Sequence, residues 1–224
     1  MLTFKFRSKM SSNLPYVPPG KRALILGKTG SGKTVGASWL LSRSPGRWVI
    51  LDSKHDELLS QLGPEVDWNA NAIIKELKKY RVVVAHPKEL EPELLDQVLF
   101  DLCESRESVS VFVDELMYLH KGVGRAGPGL MGLLTRGRSR KQSFIGCSQR
   151  PAFISGFCYS EAEYFGVYRL KLKQDWAKII EFTGFPQVKK TREDHHWAWV
   201  DVAQDTLTEY GPVPHHDILR RFGG

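Results

Sequence analysis

Ala23-Leu-Ile-Leu-Gly-Lys-Thr-Gly-Ser-Gly-Lys-Thr34 joins a strand-like run to a glycine-rich turn and a lysine-threonine pair, and the architecture follows from it. An apolar run, Ala23–Leu26, leads without a break into Gly27, Lys28, Thr29, Gly30, Ser31, Gly32, Lys33 and Thr34, which satisfy G-x-x-x-x-G-K-[ST] with no mismatch and open a helical pattern. A strand before the motif and a helix after it are the context the motif requires. Glycines at 27, 30 and 32 let the backbone curl so that successive N–H groups face an anion, and the helix amino terminus adds partial positive charge. Lys33 is then the residue against the β- and γ-phosphates of a nucleoside triphosphate, and the Thr34 hydroxyl a ligand for Mg²⁺.

Outward from this loop, short apolar runs alternate with longer amphipathic stretches. Trp48–Asp52, Arg81–Ala85, Val109–Val113, Phe144–Cys147 and Tyr164–Leu172 read as further strands, and Lys33–Ser42, Ala70–Lys79 and Pro92–Glu104 as helices. The strands lack strict polar alternation, as strands covered on both faces do. The expectation is an α/β fold of the P-loop NTPase kind, in its ASCE or RecA-like division, with a mainly parallel sheet flanked by helices. His196–Val202 and Thr206–Tyr210, separated by Ala-Gln-Asp, read as a small C-terminal β-hairpin. Three segments are expected: a lead over 1–20, the P-loop core over 21–184, and an appendage of the same domain over 185–224. The Gly-rich stretch Lys121–Gly132 reads as a mobile loop.

Val109-Ser-Val-Phe-Val-Asp-Glu115 is an apolar strand ending in two carboxylates, which is what a hydrolytic P-loop enzyme needs. Asp114 at the strand end is a candidate Mg²⁺ ligand, and Glu115 a candidate to orient or deprotonate the attacking water. Ser53-Lys-His-Asp56 loosely matches a guanine-recognition motif, but it comes too early in the chain and its first residue is wrong. ATP is therefore the expected nucleotide.

The chain has 224 residues, 42% hydrophobic and 25% charged, enough for one substantial core. Its formal net charge of +7 favours a polyanionic partner. From Leu116 to Ser160 there is no acidic residue, while Lys121, Arg125, Arg136, Arg138, Arg140, Lys141 and Arg150 all fall there. Cys103, Cys147 and Cys158 form no CxxC pair, so neither a disulfide framework nor a thiolate zinc site is indicated, and a reducing interior is the natural compartment. No signal peptide or spanning segment is read from the sequence.

Gln149 ends the strand after Asp114-Glu115, where a polar side chain reaches toward the γ-phosphate or the attacking water. Gly27–Thr34, Val111-Phe-Val-Asp-Glu115 and Ser148-Gln-Arg-Pro151 together resemble the FtsK/HerA superfamily of DNA-pumping ATPases. Within it, the short chain and the run Thr135-Arg-Gly-Arg-Ser-Arg140 look most like the genome-packaging ATPases of tailless, membrane-containing viruses. The resemblance covers roughly residues 20–172, and Trp48-Val-Ile-Leu-Asp-Ser-Lys54 matches the family's second strand, which commonly ends in Asp-x-Lys.

The resemblance implies several roles. Gln149 becomes the sensor glutamine, Lys33 the phosphate-loop lysine, and Asp114 and Glu115 the paired carboxylates. It further implies a homo-oligomeric ring, hexameric or pentameric, in which an arginine of one subunit reaches ATP held by the next; Arg138 and Arg140 are the leading candidates, with Arg136 behind them. Lys121, Arg125 and Lys141 are then the candidates for sequence-independent contact with double-stranded DNA. A viral capsid or membrane packaging-vertex protein is a further implied partner, and the host cytoplasm or the virion the implied location. The absence of membrane spans or winged helices from the sequence points to a packaging motor over a chromosome translocase. Two competitors remain open: an ATPase driving protein secretion or filamentous-phage-type assembly, and a P-loop kinase for a small molecule. His195-His196 and His215-His216 lack accompanying ligands in metal-site spacing, Trp197 and Trp199 read as core or interface, and Glu89–Glu107 as a solvated acidic helix face.

Overall fold

The computed structural model describes residues 14–105, 107–122, 124–190 and 193–223. Most of the expected lead, residues 1–13, lies outside them. Among the described residues, nine strands form a single sheet: β1 (Arg22–Leu26), β2 (Arg47–Leu51), β3 (Glu65–Asp67), β4 (Val82–His86), β5 (Val109–Val113), β6 (Phe144–Ser148), β7 (Tyr164–Val167), β8 (Trp197–Asp201) and β9 (Thr206–Tyr210). Their spatial order is β3-β4-β2-β5-β6-β1-β7-β8-β9. All pairings from β3 to β7 are parallel, and β8 and β9 continue the same sheet antiparallel from β7. The arrangement is the expected mainly parallel α/β sheet ending in a C-terminal hairpin.

Among the described residues, seven α-helices connect and cover it: α1 (Lys33–Arg43), α2 (Ala70–Leu77), α3 (Pro92–Glu104), α4 (Pro128–Thr135), α5 (Gly156–Glu161), α6 (Lys173–Thr183) and α7 (His215–Gly223). Because successive strand residues point to opposite faces, each buried strand feeds two cores. Leu24, Val49, Val83 and Val111 pack with α2, α3, α4 and α6, while Ile25, Ile50, Val84 and Phe112 pack with α1 and α7. Trp197 is wholly buried in the second core, stacked on Tyr168 and Tyr210 and edge-on to Trp39, and Trp199 is nearly buried, edge-on to Trp197 and stacked on Tyr164.

Local signals place several boundaries. Asn69 accepts from the N–H groups of Asn71 and Ala72 and so starts α2. Pro92 and Glu93 occupy the first turn of α3, and Gly184 ends α6 with φ 73°. The Gly-rich stretch departs from the expected loop, since Pro128–Thr135 is helical. The buried Asp96 carboxylate of α3 accepts from the N–H groups of Gly129 and Leu130, both at 2.8 Å, and caps α4. Gly129 lets the α4 backbone lie against that of α3, because a Cβ there would overlap the Asp96 carbonyl oxygen. β7 is shorter than expected: from Tyr168 the chain leaves the sheet to cross the phosphate loop, with Tyr168 N–H donating to Leu26 and Arg169 accepting from Lys28.

Candidate active site

The phosphate loop lies at the carboxyl ends of β1, β6 and β7, the edge where open α/β sheets bind ligands. It is braced on both sides, by Gly27 N–H to Ser148 O at 3.2 Å and Lys28 N–H to Arg169 O at 2.9 Å. Gly30 and Gly32 take φ of 71° and 93°, which side chains rarely tolerate. The Lys33 ammonium, 6% exposed, donates to the carbonyl of Lys28 at 2.9 Å, and burial pushes its pKa below the ordinary lysine value. The loop thus holds a poorly hydrated cation at the amino end of α1, prepared for anionic oxygens.

β5 delivers the carboxylates next to it. Asp114 accepts from the Thr34 hydroxyl at 3.0 Å, and both line a cleft of about 520 Å³. These two hard oxygen donors meet at the head of the phosphate loop, a donor set that fits Mg²⁺ completed by phosphate oxygens and water. Among the described residues there is no cluster of three His, Cys, Asp or Glu side chains suited to hold a metal without phosphate. Glu115 is 4% exposed, and its Oε1 is buried without a hydrogen-bond partner. A catalytic carboxylate oxygen waiting for a water fits that geometry.

Lys54 was legible only as part of an Asp-x-Lys strand end, yet it is central to the site. Its ammonium lies 3.1 Å from Asp114 Oδ2 and 3.2 Å from Glu115 Oε2. Burial works against that ammonium, but the two carboxylates outweigh it and hold its pKa above the ordinary lysine value. Gln149 reaches the loop from the end of β6, where its Oε1 accepts from the Thr29 hydroxyl at 2.6 Å. The turn that follows is fixed by Asp175, which accepts from Ala152 N–H at 2.9 Å and faces Arg150 at 3.6 Å.

The far wall of the cleft comes from segments with no nucleotide motif: Tyr168, His195, Pro212, Val213 and His215. Tyr168 packs so closely that a Cβ at Gly36 would overlap its hydroxyl, and one at Gly32 would lie 3.2 Å from His195 Nδ1. These contacts depend on β7 and the C-terminal hairpin returning over α1, which no local spacing announces. His195 and His215 therefore belong to the nucleotide cleft.

The basic residues divide between the two edges of the sheet. Lys121 and Arg125 follow Asp114-Glu115 on the phosphate-loop edge, where Lys121 pairs with Glu93 and its N–H donates to Arg125 O. Arg136, Arg138, Arg140 and Lys141 precede β6, at the opposite edge. There Arg136 pairs with Glu104 at 2.7 Å and Arg138 with Glu163 at 3.4 Å. Arg140 makes no ion pair with a described residue. Lys141 is thus not brought together with Lys121 and Arg125, and the acidic face of α3 lies beside the basic segment of its own chain.

A phosphate loop, an adjoining Asp-Glu pair and a glutamine at the end of the next strand, on a parallel sheet, define a P-loop ATPase of the hydrolytic class. No protein-family model matches the sequence. The chain is 30% identical over 222 residues to DNA packaging ATPase P9 of Enterobacteria phage PRD1, an alignment covering 90% of this chain and 92% of that one. It belongs to the family of P9, the DNA-packaging ATPases. In fold it is similar to the genome packaging NTPase B204 of Sulfolobus turreted icosahedral virus 2 in complex with ATP-gammaS, at TM-score 0.72 and 17% identity over 88% of this chain and 99% of that one. It is also similar to VirB4 of Thermoanaerobacter pseudethanolicus, at TM-score 0.62 and 11% identity over 86% and 89% of the two chains. The two structural likenesses establish the architecture, and the P9 relationship the family.

Proposed function

We propose that this chain is the ATP-hydrolysing motor of viral genome packaging, moving double-stranded DNA as a homo-oligomeric ring of five or six subunits. The observation that carries the reading is the buried, unpartnered Glu115 oxygen, on the residue next to Asp114, which lines the phosphate-loop cleft with Thr34, in a chain of the packaging-ATPase family. Thr34 and Asp114 would hold Mg²⁺, which supplies charge neutralisation at the β- and γ-phosphates when bound. Lys33 exchanges the Lys28 carbonyl for phosphate oxygens, Glu115 orients the attacking water and accepts its proton, and Gln149 leaves Thr29 to contact the γ-phosphate.

The arginines at the opposite edge favour a ring, because they face away from their own cleft and toward whatever adjoins the amino ends of the strands. In that assembly Arg138, Arg140 or Arg136 completes a neighbour's site, and Lys121, Arg125 and Lys141 meet the DNA backbone without reading sequence. Capsid or membrane proteins at the packaging vertex are the partners this role calls for, with the host cytoplasm and the virion as its setting. No described helix is long and apolar enough to cross a membrane.

The test is steady-state ATP hydrolysis with and without long double-stranded DNA over a range of salt, beside Lys33→Ala and Glu115→Gln. The expected result is DNA stimulation that fades as salt rises and is absent from both variants. Robust hydrolysis indifferent to DNA at every salt would move the assignment to a protein-moving ATPase.

A further inference from the structure

Lys54 bridges two carboxylates that have little access to water. The Asp114 and Glu115 side chains are 2% and 5% exposed, while that of Lys54 is 35% exposed, so the ammonium reaches in from the mouth of the cleft. Its backbone is fixed by Asp52, fully buried at the end of β2, which accepts from the N–H groups of Lys54 at 3.0 Å and Asp56 at 2.9 Å. Two adjacent buried carboxylates require a counter-charge. Lys33 contributes charge from a distance but makes no ion pair with either carboxylate, donating instead to the Lys28 carbonyl, so the direct contacts come from Lys54.

The same Asp114 carboxylate binds Thr34 through its other oxygen, so the Lys54 ammonium and a divalent cation at Thr34 draw on one carboxylate. Glu115, by contrast, has one oxygen held by Lys54 and the other free of hydrogen bonds. We propose that Lys54 is a positioning residue with two linked duties: it occupies Asp114 until Mg²⁺ arrives with ATP, and it aims Glu115 at the attacking water. This rests on the ATPase reading above. It makes Mg²⁺ entry an exchange of one cation for another at Asp114, which keeps the carboxylate pair compensated throughout.

Binding of ATPγS measured by titration calorimetry across a series of Mg²⁺ concentrations, in parallel with ATP turnover, tests the idea on the full chain. Lys54→Met removes the competing charge and keeps the stem. The Mg²⁺ concentration for half-maximal ATPγS binding should fall on the order of tenfold, as expected when a like charge leaves a partly exposed site, while kcat drops because Glu115 is no longer aimed. Lys54→Arg retains the charge, and should keep the Mg²⁺ midpoint near wild type and recover part of kcat. An unchanged or raised midpoint in Lys54→Met, with wild type showing Mg²⁺-dependent binding that Lys33→Ala loses, would overturn the role of Lys54 and leave the ATPase reading intact. Absence of Mg²⁺-dependent ATPγS binding in the wild type would overturn both. Should Lys54→Met fail to fold, Lys54→Gln reports the same midpoint.

Discussion

Glu115 illustrates how much of the chemistry is decided by one side chain. Of its two carboxylate oxygens, Oε2 is 3.2 Å from the Lys54 ammonium and Oε1 is buried with no partner. Leaving such an oxygen unsatisfied costs stability, and a water held for in-line attack would offset that cost. Glu115→Gln keeps the volume and the Lys54 contact through its carbonyl oxygen but removes the base. Turnover should fall by roughly 10²–10⁴-fold, the usual contribution of a positioned general base. ATPγS affinity should stay close to wild type, because Lys33, Thr34 and Asp114 are untouched. Single-turnover hydrolysis beside equilibrium ATPγS binding separates the two effects. A matching loss of affinity would assign Glu115 to nucleotide binding instead.

At the scale of elements, two buried polar side chains join segments distant in sequence. Asp96 on α3 accepts both N–H bonds that start α4, so Asp96→Ala leaves two helix-end donors without a partner. It should destabilise the fold by about 1–3 kcal/mol in urea unfolding, with Asp96→Asn costing less because one acceptor oxygen remains. His120 links the turn after β5 to the segment after β6: its Nδ1 lies 2.9 Å from Leu116 O, and its Nε2 accepts from Ser155 N–H at 3.1 Å. Only the neutral ring with its proton on Nδ1 satisfies both. Burial holds its pKa below the ordinary 6.5. The unfolded chain therefore takes up a proton below pH 6.5 that the folded chain refuses, and stability falls as pH drops from that value toward the depressed folded pKa. Urea unfolding between pH 7.5 and 5.5 should show this slope in the wild type and a shallower one in His120→Gln. The same long-range bonds explain what the sequence concealed. Strands β1, β2 and β4 to β6 and helices α1 to α3 announced themselves through apolar runs and local caps. α4 begins with glycines and takes its cap from a residue more than thirty positions away, so it read as a loop, and β3 is a three-residue, largely exposed edge strand with no apolar run to reveal it. In the site, Lys33, Thr34, Asp114, Glu115 and Gln149 were legible because contiguous motifs carry them. Tyr168, Val213 and His195 were not, since they reach the cleft only through sheet order.

Across the whole molecule, the candidate arginines Arg136, Arg138 and Arg140 stand where they cannot serve their own nucleotide. Arg22 at the start of β1 pairs in register with Phe144 at the start of β6, and the phosphate loop follows the end of β1. Five strand residues at about 3.3 Å each put roughly 16 Å between the two edges, beyond the reach of an arginine side chain lying against Glu104 or Glu163. A subunit working alone therefore has a phosphate loop, carboxylates and a glutamine, but brings none of these three arginines to its own transferred phosphoryl group. Arg136 and Arg138 are already engaged by acids of their own chain, whereas Arg140 pairs with no described acid, so Arg140→Ala is the single change expected to cost most, by about 10³–10⁵-fold in turnover if it acts as a finger. Mixing decides whether the action is in trans. Glu115→Gln subunits have intact arginines and dead clefts, and Arg140→Ala subunits have intact clefts and no finger. Each alone should be nearly inactive, yet a mixture in the presence of DNA should regain hydrolysis, because some interfaces pair a working cleft with a working arginine. Activity in the mixture that never exceeds the sum of the separate variants would show that Arg140 acts within its own chain or not at all.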